Sequence, residues 1–395
     1  MSDFTRLRTQ LEAIQEAIRA AGLDGWLLYD LHARNDVAAR LLGLGDMSRR
    51  YFVLIPAEGG PRALTHGIEQ MPWAHWPWTK ARYSGWQELH ERLAELLNGV
   101  SRVALETSPL DAVPAVDLVP AGVIELIRAQ GVDTVSSGDL VSQFYSRWSA
   151  AQHASHQRAS VILAQTAHTC LERLARAVRD GAEPTERDLR EWVLGEIAGR
   201  GLAAGADTIS ATGVNAANPH YELHGAGATF RQGDVVLLDL WAKEDEDAVF
   251  ADQTWMAYLG RTVPERAAEV FAAVRDARDA AVQFLVDAAA AGRSVQGFEV
   301  DDAARSVIRG RGYGDWFIHR TGHSIDRATH GMGPNIDNYE THETRRLVPG
   351  VGFSIEPGIY IPGELGVRSE INVYMDNDGP DVTTPGPQTE MLALL

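Results

Sequence analysis

The chain has 395 residues, 45% hydrophobic and 23% charged, with 54 acidic against 36 basic side chains and a formal charge of -18. That length and composition allow two globular domains, each with its own core. The acidic excess excludes a phosphate-neutralising nucleic-acid surface and a patch that docks on anionic lipid.

Cys170 is the single cysteine, so no intrachain disulfide is expected. No apolar run approaches the ~20 residues of a membrane helix. Met1-Ser2-Asp3-Phe4 opens no basic-then-apolar leader, and a cytoplasmic protein is the expectation.

Leu7, Leu11, Ile14 and Ile18 recur at helical spacing over residues 5–21, and Gly22-Leu23-Asp24-Gly25 ends that helix. Residues 26–29 and 51–55 read as buried strands. Strands and helices alternate to about Ser136, which predicts an α/β domain over residues 1–150. The glycines of Leu42-Gly43-Leu44-Gly45 make no credible nucleotide loop. Trp73, Trp76, Trp78 and Trp86 read as core or interface.

Helical patterns then cover 157–180 and 185–199, with Thr185 three residues before Asp188 as an N-cap signal. Strands with Gly-rich turns follow Gly233, interrupted by helices over about 264–293 and 300–309. Residues 151–395 therefore predict an antiparallel sheet flanked by helices, and the chain as a whole an α+β protein.

Val235-Val236-Leu237-Leu238-Asp239-Leu240-Trp241 is a near-continuous apolar run, the pattern of a buried strand. A lone carboxylate inside it costs several kcal/mol unless something compensates it. A turn between Asp245 and Glu246 would bring residues 250–259 back alongside, with Asp252 directly opposite Asp239. Downstream, a turn centred on Gly363 in Pro362-Gly363-Glu364 places Glu356 opposite Glu370. Facing like charges destabilise a sheet. Either one acid of each pair keeps its proton, or cations lie between them. The histidines of His319-Arg320-Thr321-Gly322-His323 and His330 favour metal, because mixed carboxylate and imidazole sets suit Mn, Zn, Co or Fe.

The order Asp239, Asp252, His323, Glu356, Glu370 resembles the five-ligand set of the pita-bread metallopeptidases, which include methionine aminopeptidase, aminopeptidase P and prolidase. His319-x-x-Gly322-His323 with His330 resembles the family's His-x-x-Gly-His stretch and its following histidine. Ser354-Ile355-Glu356-Pro357-Gly358-Ile359-Tyr360 and Gly366-Val367-Arg368-Ser369-Glu370 are similar to its last two ligand strands. Asn218-Pro219-His220-Tyr221 resembles its Pro-His segment.

The resemblance implies a pita-bread (creatinase/aminopeptidase-like) catalytic domain over 151–395, behind a smaller creatinase-like α/β domain over 1–150. The chain's end soon after the last ligand strand reads as leaving no room for a third domain.

What the resemblance implies about chemistry is specific. Asp239 would chelate one cation, His323 and Glu356 the other, with Asp252 and Glu370 bridging. Two divalent metal ions are implied, manganese first, with cobalt or zinc as alternatives. Glu356 is the candidate proton shuttle, His220 and His330 orient substrate, and Arg368 supports a ligand or the wall. His319 is second-rank or substrate-facing, while His224 and His342 read as surface histidines. Arg49 and Arg50 could reach a neighbouring site in a homodimer.

Departures from the family lie around the ligands. Asp239-Leu240-Trp241 stands for Asp-x-Gly, Asp252-Gln253-Thr254-Trp255 for Asp-x-Thr-Arg, and Ser324-Ile325-Asp326 for Gly-Ile-Gly. They bear on pocket shape, and the lost arginine with the Trp-rich N-terminal domain favours a closed pocket. The expected activity is cleavage of the Xaa-Pro bond in proline-containing small peptides, as in an Xaa-Pro dipeptidase. Aminopeptidase P activity on longer peptides is the alternative, followed by a non-peptidase enzyme or a binding module on the same scaffold.

Overall fold

A computed structural model describes residues 4–205 and 208–395. Met1-Ser2-Asp3, read above for a leader, lie outside the described residues. The chain divides into two compact units, Met1–Tyr145 and Ser146–Leu395, against a boundary read near residue 150.

The first unit follows the expected alternation. Its elements are α1 (Thr5–Ala20), β1 (Gly25–Asp30), α2 (Asp36–Leu42), β2 (Tyr51–Pro56), β3 (Arg62–His66), β4 (Thr79–Tyr83), α3 (Trp86–Leu96), β5 (Arg102–Leu105), α4 (Ala121–Arg128), β6 (Asp133–Ser136) and α5 (Gly138–Phe144). The strands form one mixed sheet in the order β4-β3-β2-β1-β5-β6. Leu89, Leu93 and Leu96 of α3 pack on Phe52, Leu54 and Leu64 of that sheet. Trp73 and Trp76 are core, packed against Phe4, whereas Trp86 is 62% exposed. Arg49 is exposed and held locally through Ser48 and Glu69.

The second unit opens with α6 (Ala150–Arg179) and α7 (Glu186–Gly199), each begun by a capping box, Ser149 with Gln152 and Thr185 with Asp188. The first helix starts earlier than hydrophobic spacing alone predicts, because its opening turn is polar and only the cap marks it. The strands β7 (Ala203–Ala204), β8 (Ile209–Thr212), β9 (Val235–Lys243) and β10 (Ala251–Tyr258) follow. Then come α8 (Glu265–Ala290), α9 (Gly297–Gly310), β11 (Ser324–Ile325), β12 (Gly352–Ile355), β13 (Gly358–Ile361), β14 (Leu365–Arg368), β15 (Ile371–Asp376), β16 (Gly379–Val382) and β17 (Leu392–Ala393).

The central hairpin explains its own sequence. Residues 236, 238 and 240 of β9 and 255 and 257 of β10 pack into a core with α6 and α7. Residues 235, 237 and 256 pack into a second core with α8 and α9. A strand buried on both faces has no polar side to show, so its run is apolar throughout. Along the second face the side chains change from Val235 and Leu237 to Asp239 and Trp241, which line a cavity. The site begins where that apolar face stops.

Candidate metal centre

The register of the first hairpin corrects the sequence expectation. Asp239 pairs with Thr254, and Asp252 pairs with Trp241. The cause is the loop. Asp245 accepts hydrogen bonds from the N–H groups of Asp247 and Ala248, both at 2.9 Å. This side-chain turn draws the reversal one residue further along than assumed. Side chains alternate with period two, so the shift leaves Asp239 and Asp252 on the same face as diagonal neighbours. In the second hairpin Ile355 pairs with Ile371 and Gly358 with Arg368. Both ladders keep the expected register across the break, and Glu356 and Glu370 occupy matching positions where backbone pairing is interrupted.

The structure brings Asp239, Asp252, His323, Glu356 and Glu370 to one cavity of about 730 Å3. Asp252, His323 and Glu370 offer ligand atoms within 4.8 Å of one another. His323 Nε2 lies 3.6 Å from Asp252 Oδ2 and 3.3 Å from Glu356 Oε1. Its Nδ1 lies 3.1 Å from the Ser324 carbonyl. A carbonyl only accepts, so Nδ1 carries the proton and the neutral ring turns a bare Nε2 lone pair toward two carboxylates. Burial holds His323 neutral, with its pKa lowered to about 3.

The acids are in the opposite difficulty. Burial, and then repulsion from neighbouring acids (Asp239 and Glu356 for Asp252; Asp252, Glu356 and Asp239 for Glu370), drives the proton affinities of Asp252 and Glu370 well above the usual carboxylate range. Burial also raises Asp239, against the pull of Arg368. Lone pairs and buried acids facing one another are the donor set that a divalent cation satisfies, and these residues fit one.

Arg368 is placed to hold this set. Its Nη2 donates to Asp239 Oδ2 at 2.6 Å, its Nε to Thr254 Oγ1 at 2.9 Å, and its Nη1 to the Pro219 carbonyl at 3.2 Å. Thr254 Oγ1 in turn donates to Glu370 Oε2 at 2.9 Å and lies 3.2 Å from Asp239 Oδ1. Asn372 Oδ1 accepts the Asp252 N–H at 2.8 Å. Thr254 and Asn372 escaped the sequence reading. For Thr254 the available signal was parity, since it stands two residues after Asp252 on the same face.

His319 and His323 lie on a loop clamped by a buried ion pair on α9. Asp301 and Arg305 bond bidentately at 2.9 and 3.0 Å. Asp301 also accepts the Thr321 N–H at 2.9 Å, and Arg305 donates to the carbonyls of Phe317 at 3.0 Å and His319 at 2.8 Å. His319 Nε2 lies 2.9 Å from the Tyr360 hydroxyl.

His220 sits on a loop gathered by Glu186, on the first turn of α7. That carboxylate accepts from the N–H groups of Thr212 and Ala228 at 2.9 and 2.8 Å, and from the Tyr221 hydroxyl at 2.7 Å. His220 and His330 are exposed on the cavity wall, and His330 meets the His323 ring edge-on at 4.5 Å.

Two further expectations change. Position 255, where an arginine was missed, faces away from the cavity. Trp255 is buried with α6 and α7 and meets His168 at 4.8 Å, so that substitution does not shape the pocket. His224, read as a surface histidine, is exposed but lines the cavity. His342 is exposed and bonds Asn338.

This helix-and-sheet unit gathers four acids and an imidazole, all buried except the half-buried Glu356, around one cavity, the kind of centre found in metal-binding enzymes. Residues 157–377 match metallopeptidase family M24, and the chain belongs to that family. Over 173 residues it is 37% identical to the Xaa-Pro dipeptidase of Lactobacillus helveticus, covering 44% of this chain and 43% of that one. The Xaa-Pro dipeptidase of Pyrococcus furiosus is 37% identical over 175 residues, with 44% and 45% covered. The matched stretch thus spans less than half of these relatives. A probable dipeptidase PepE of Mycobacterium tuberculosis is 26% identical over 366 residues, 89% of this chain and 86% of that one.

Among solved structures, the fold is that of dipeptidase PepE from Mycobacterium ulcerans, with a TM-score of 0.71, 24% identity and 99% of both chains covered. The Xaa-Pro dipeptidase from Bacillus anthracis gives 0.65 at 22% identity, over 98% of this chain and 99% of that one. The pita-bread expectation and the mixed α and β architecture stand.

Proposed function

We propose that the protein is a dinuclear-metal hydrolase cleaving the Xaa-Pro bond of proline-containing dipeptides. The observation that carries this reading is the His323 lone pair turned onto Asp252 and Glu356, beside the buried carboxylates of Asp239 and Glu370. Asp239, Asp252, His323, Glu356 and Glu370 would hold the two cations, manganese first, with cobalt or zinc as alternatives. The Xaa-Pro dipeptidases among the relatives support the substrate class. Residues 1–150 as an N-terminal domain and 151–395 as the catalytic one, a homodimer and a cytoplasmic location belong to the same proposal.

Bound divalent cations supply Lewis acidity, lowering the pKa of water and polarising a carbonyl. The protein's own groups do the rest. Glu356, the least buried of the four acids, accepts from Ser354 Oγ at 3.0 Å and moves a proton from attacking water to the leaving nitrogen. The nitrogen of an Xaa-Pro bond is tertiary and has to be protonated as it departs. Arg368 fixes Asp239, while His220 and His330 on the cavity wall orient the substrate.

The test strips the purified protein with EDTA, adds back Mn, Co or Zn, and assays Ala-Pro beside Ala-Pro-Ala. Metal should restore hydrolysis, with the dipeptide cleaved faster. Activity indifferent to chelation would overturn the proposal, and faster tripeptide cleavage would make the protein an aminopeptidase P.

A further inference from the structure

Trp241 stands two residues after Asp239 on the cavity face of β9 and is the cross-strand partner of Asp252. It lines the cavity together with Gly205, Thr208 and Ile209. Its indole rests on Gly205. A Cβ on residue 205 would lie 1.6 Å from Trp241 Nε1 and 2.2 Å from Cδ1. The Gly205 N–H also donates to the Trp241 carbonyl at 3.1 Å. Gly205 is not among the glycines with positive φ, so its backbone does not demand glycine; the space taken by the indole does. Trp241 and Gly205 are a matched pair on the cavity wall, beside Asp252.

The cavity wall also carries Arg320, His220 and His330, which come from loops outside the β9–β10 hairpin and are donors suited to a carboxylate. Arg190, also on the wall, is already engaged within the protein. The carboxyl end of a dipeptide belongs with those donors, which leaves its amino-terminal residue beside β9.

We propose that Trp241, seated on Gly205, is a specificity-determining residue that restricts the first residue of the substrate to small side chains. This rests on the dipeptidase reading above and adds to it the substrate subclass. An aromatic wall is rigid, so each added methylene meets a fixed surface.

The experiment compares the manganese-loaded parent with W241G on Gly-Pro, Ala-Pro, Leu-Pro and Phe-Pro. The parent's kcat/KM should fall from Ala-Pro to Phe-Pro. In W241G the ratio of Phe-Pro to Ala-Pro should rise at least about tenfold, within the range a shape-defined pocket gives. An unchanged ratio overturns the proposal, and a falling one shows Trp241 to be a stacking platform rather than a limit. Failure of the parent to cleave any of the four overturns the dipeptidase reading and this proposal with it.

G205A supplies the control for folding. It should lower Tm in the parent and be tolerated in W241G. Equal losses in both backgrounds would break the pairing on which the proposal stands.

Discussion

Glu106 in the N-terminal unit and Glu370 in the C-terminal unit are both buried, at 0% and 4% exposure. Burial raises the proton affinity of both. Their company differs. Glu106 accepts from Trp26 Nε1 at 2.6 Å, Asn35 Nδ2 at 2.8 Å and Ser137 Oγ at 3.0 Å. Glu370 accepts from Thr254 and faces three other acids, Asp252, Glu356 and Asp239, against the single cation Arg368, whose Nη2 is engaged by Asp239. An acid surrounded by donors is a fastening, whereas an acid surrounded by acids needs a cation. Exposure does not separate the two cases; the census of donors does.

The largest effect that could break this contrast is at Glu370. E370A should lower kcat/KM on an Xaa-Pro dipeptide at least about 10^3-fold, roughly 4 kcal/mol of barrier, with far-UV circular dichroism unchanged. E106Q should lower Tm and leave turnover intact. Parent-like turnover in E370A would take Glu370 out of the site.

Asp301 is the intermediate case, a buried acid supplied with its own cation. D301N leaves Arg305 charged and uncompensated, and urea unfolding should show a loss of about 3–5 kcal/mol. A loss below about 1 kcal/mol would mean that the clamp on the histidine loop is not held by charge.

A buried base extends the contrast. His156 lies 2.7 Å from the Phe250 carbonyl and 2.7 Å from Thr383 Oγ1, and burial lowers its pKa to about 4. The native state therefore binds fewer protons than the unfolded one. The His156 contribution is fully present above the ordinary value of 6.5 and is lost as pH falls toward about 4. Unfolding free energies should drop by on the order of 3 kcal/mol over that window and drop less in H156Q. Equal slopes in the two proteins would contradict the assignment.

Thr254 gives the smallest effect and the finest test. T254V removes the hydroxyl shared by Asp239, Glu370 and Arg368, and calorimetry should show manganese binding weakened about 10–100-fold. Unchanged affinity would mean that the hydroxyl does not orient the ligands.

Much of this was legible before the fold was known. Asp239 inside an apolar run, the capping signals at Thr185, and the second hairpin around Gly363 all follow from local rules. The first hairpin's register was missed because it depends on the Asp245 side chain closing a turn on its own backbone, which spacing does not report. Thr254 was missed because a strand threonine looks the same whether it packs or bridges carboxylates. Trp255 was assigned to the pocket by motif, although strand parity alone sends it to the α6 and α7 core. Trp241 was noted as a departure, but its partner Gly205 lies just past the end of β7, far off in sequence, and only the fold joins them.

The most direct measurement is metal content at equilibrium. Dialysed against manganese, the wild-type protein should retain two ions per chain, and D252N/E370Q should retain none while staying folded. A folded wild-type protein that binds no stoichiometric manganese, cobalt or zinc would contradict the claim that these buried acids are held together by cations.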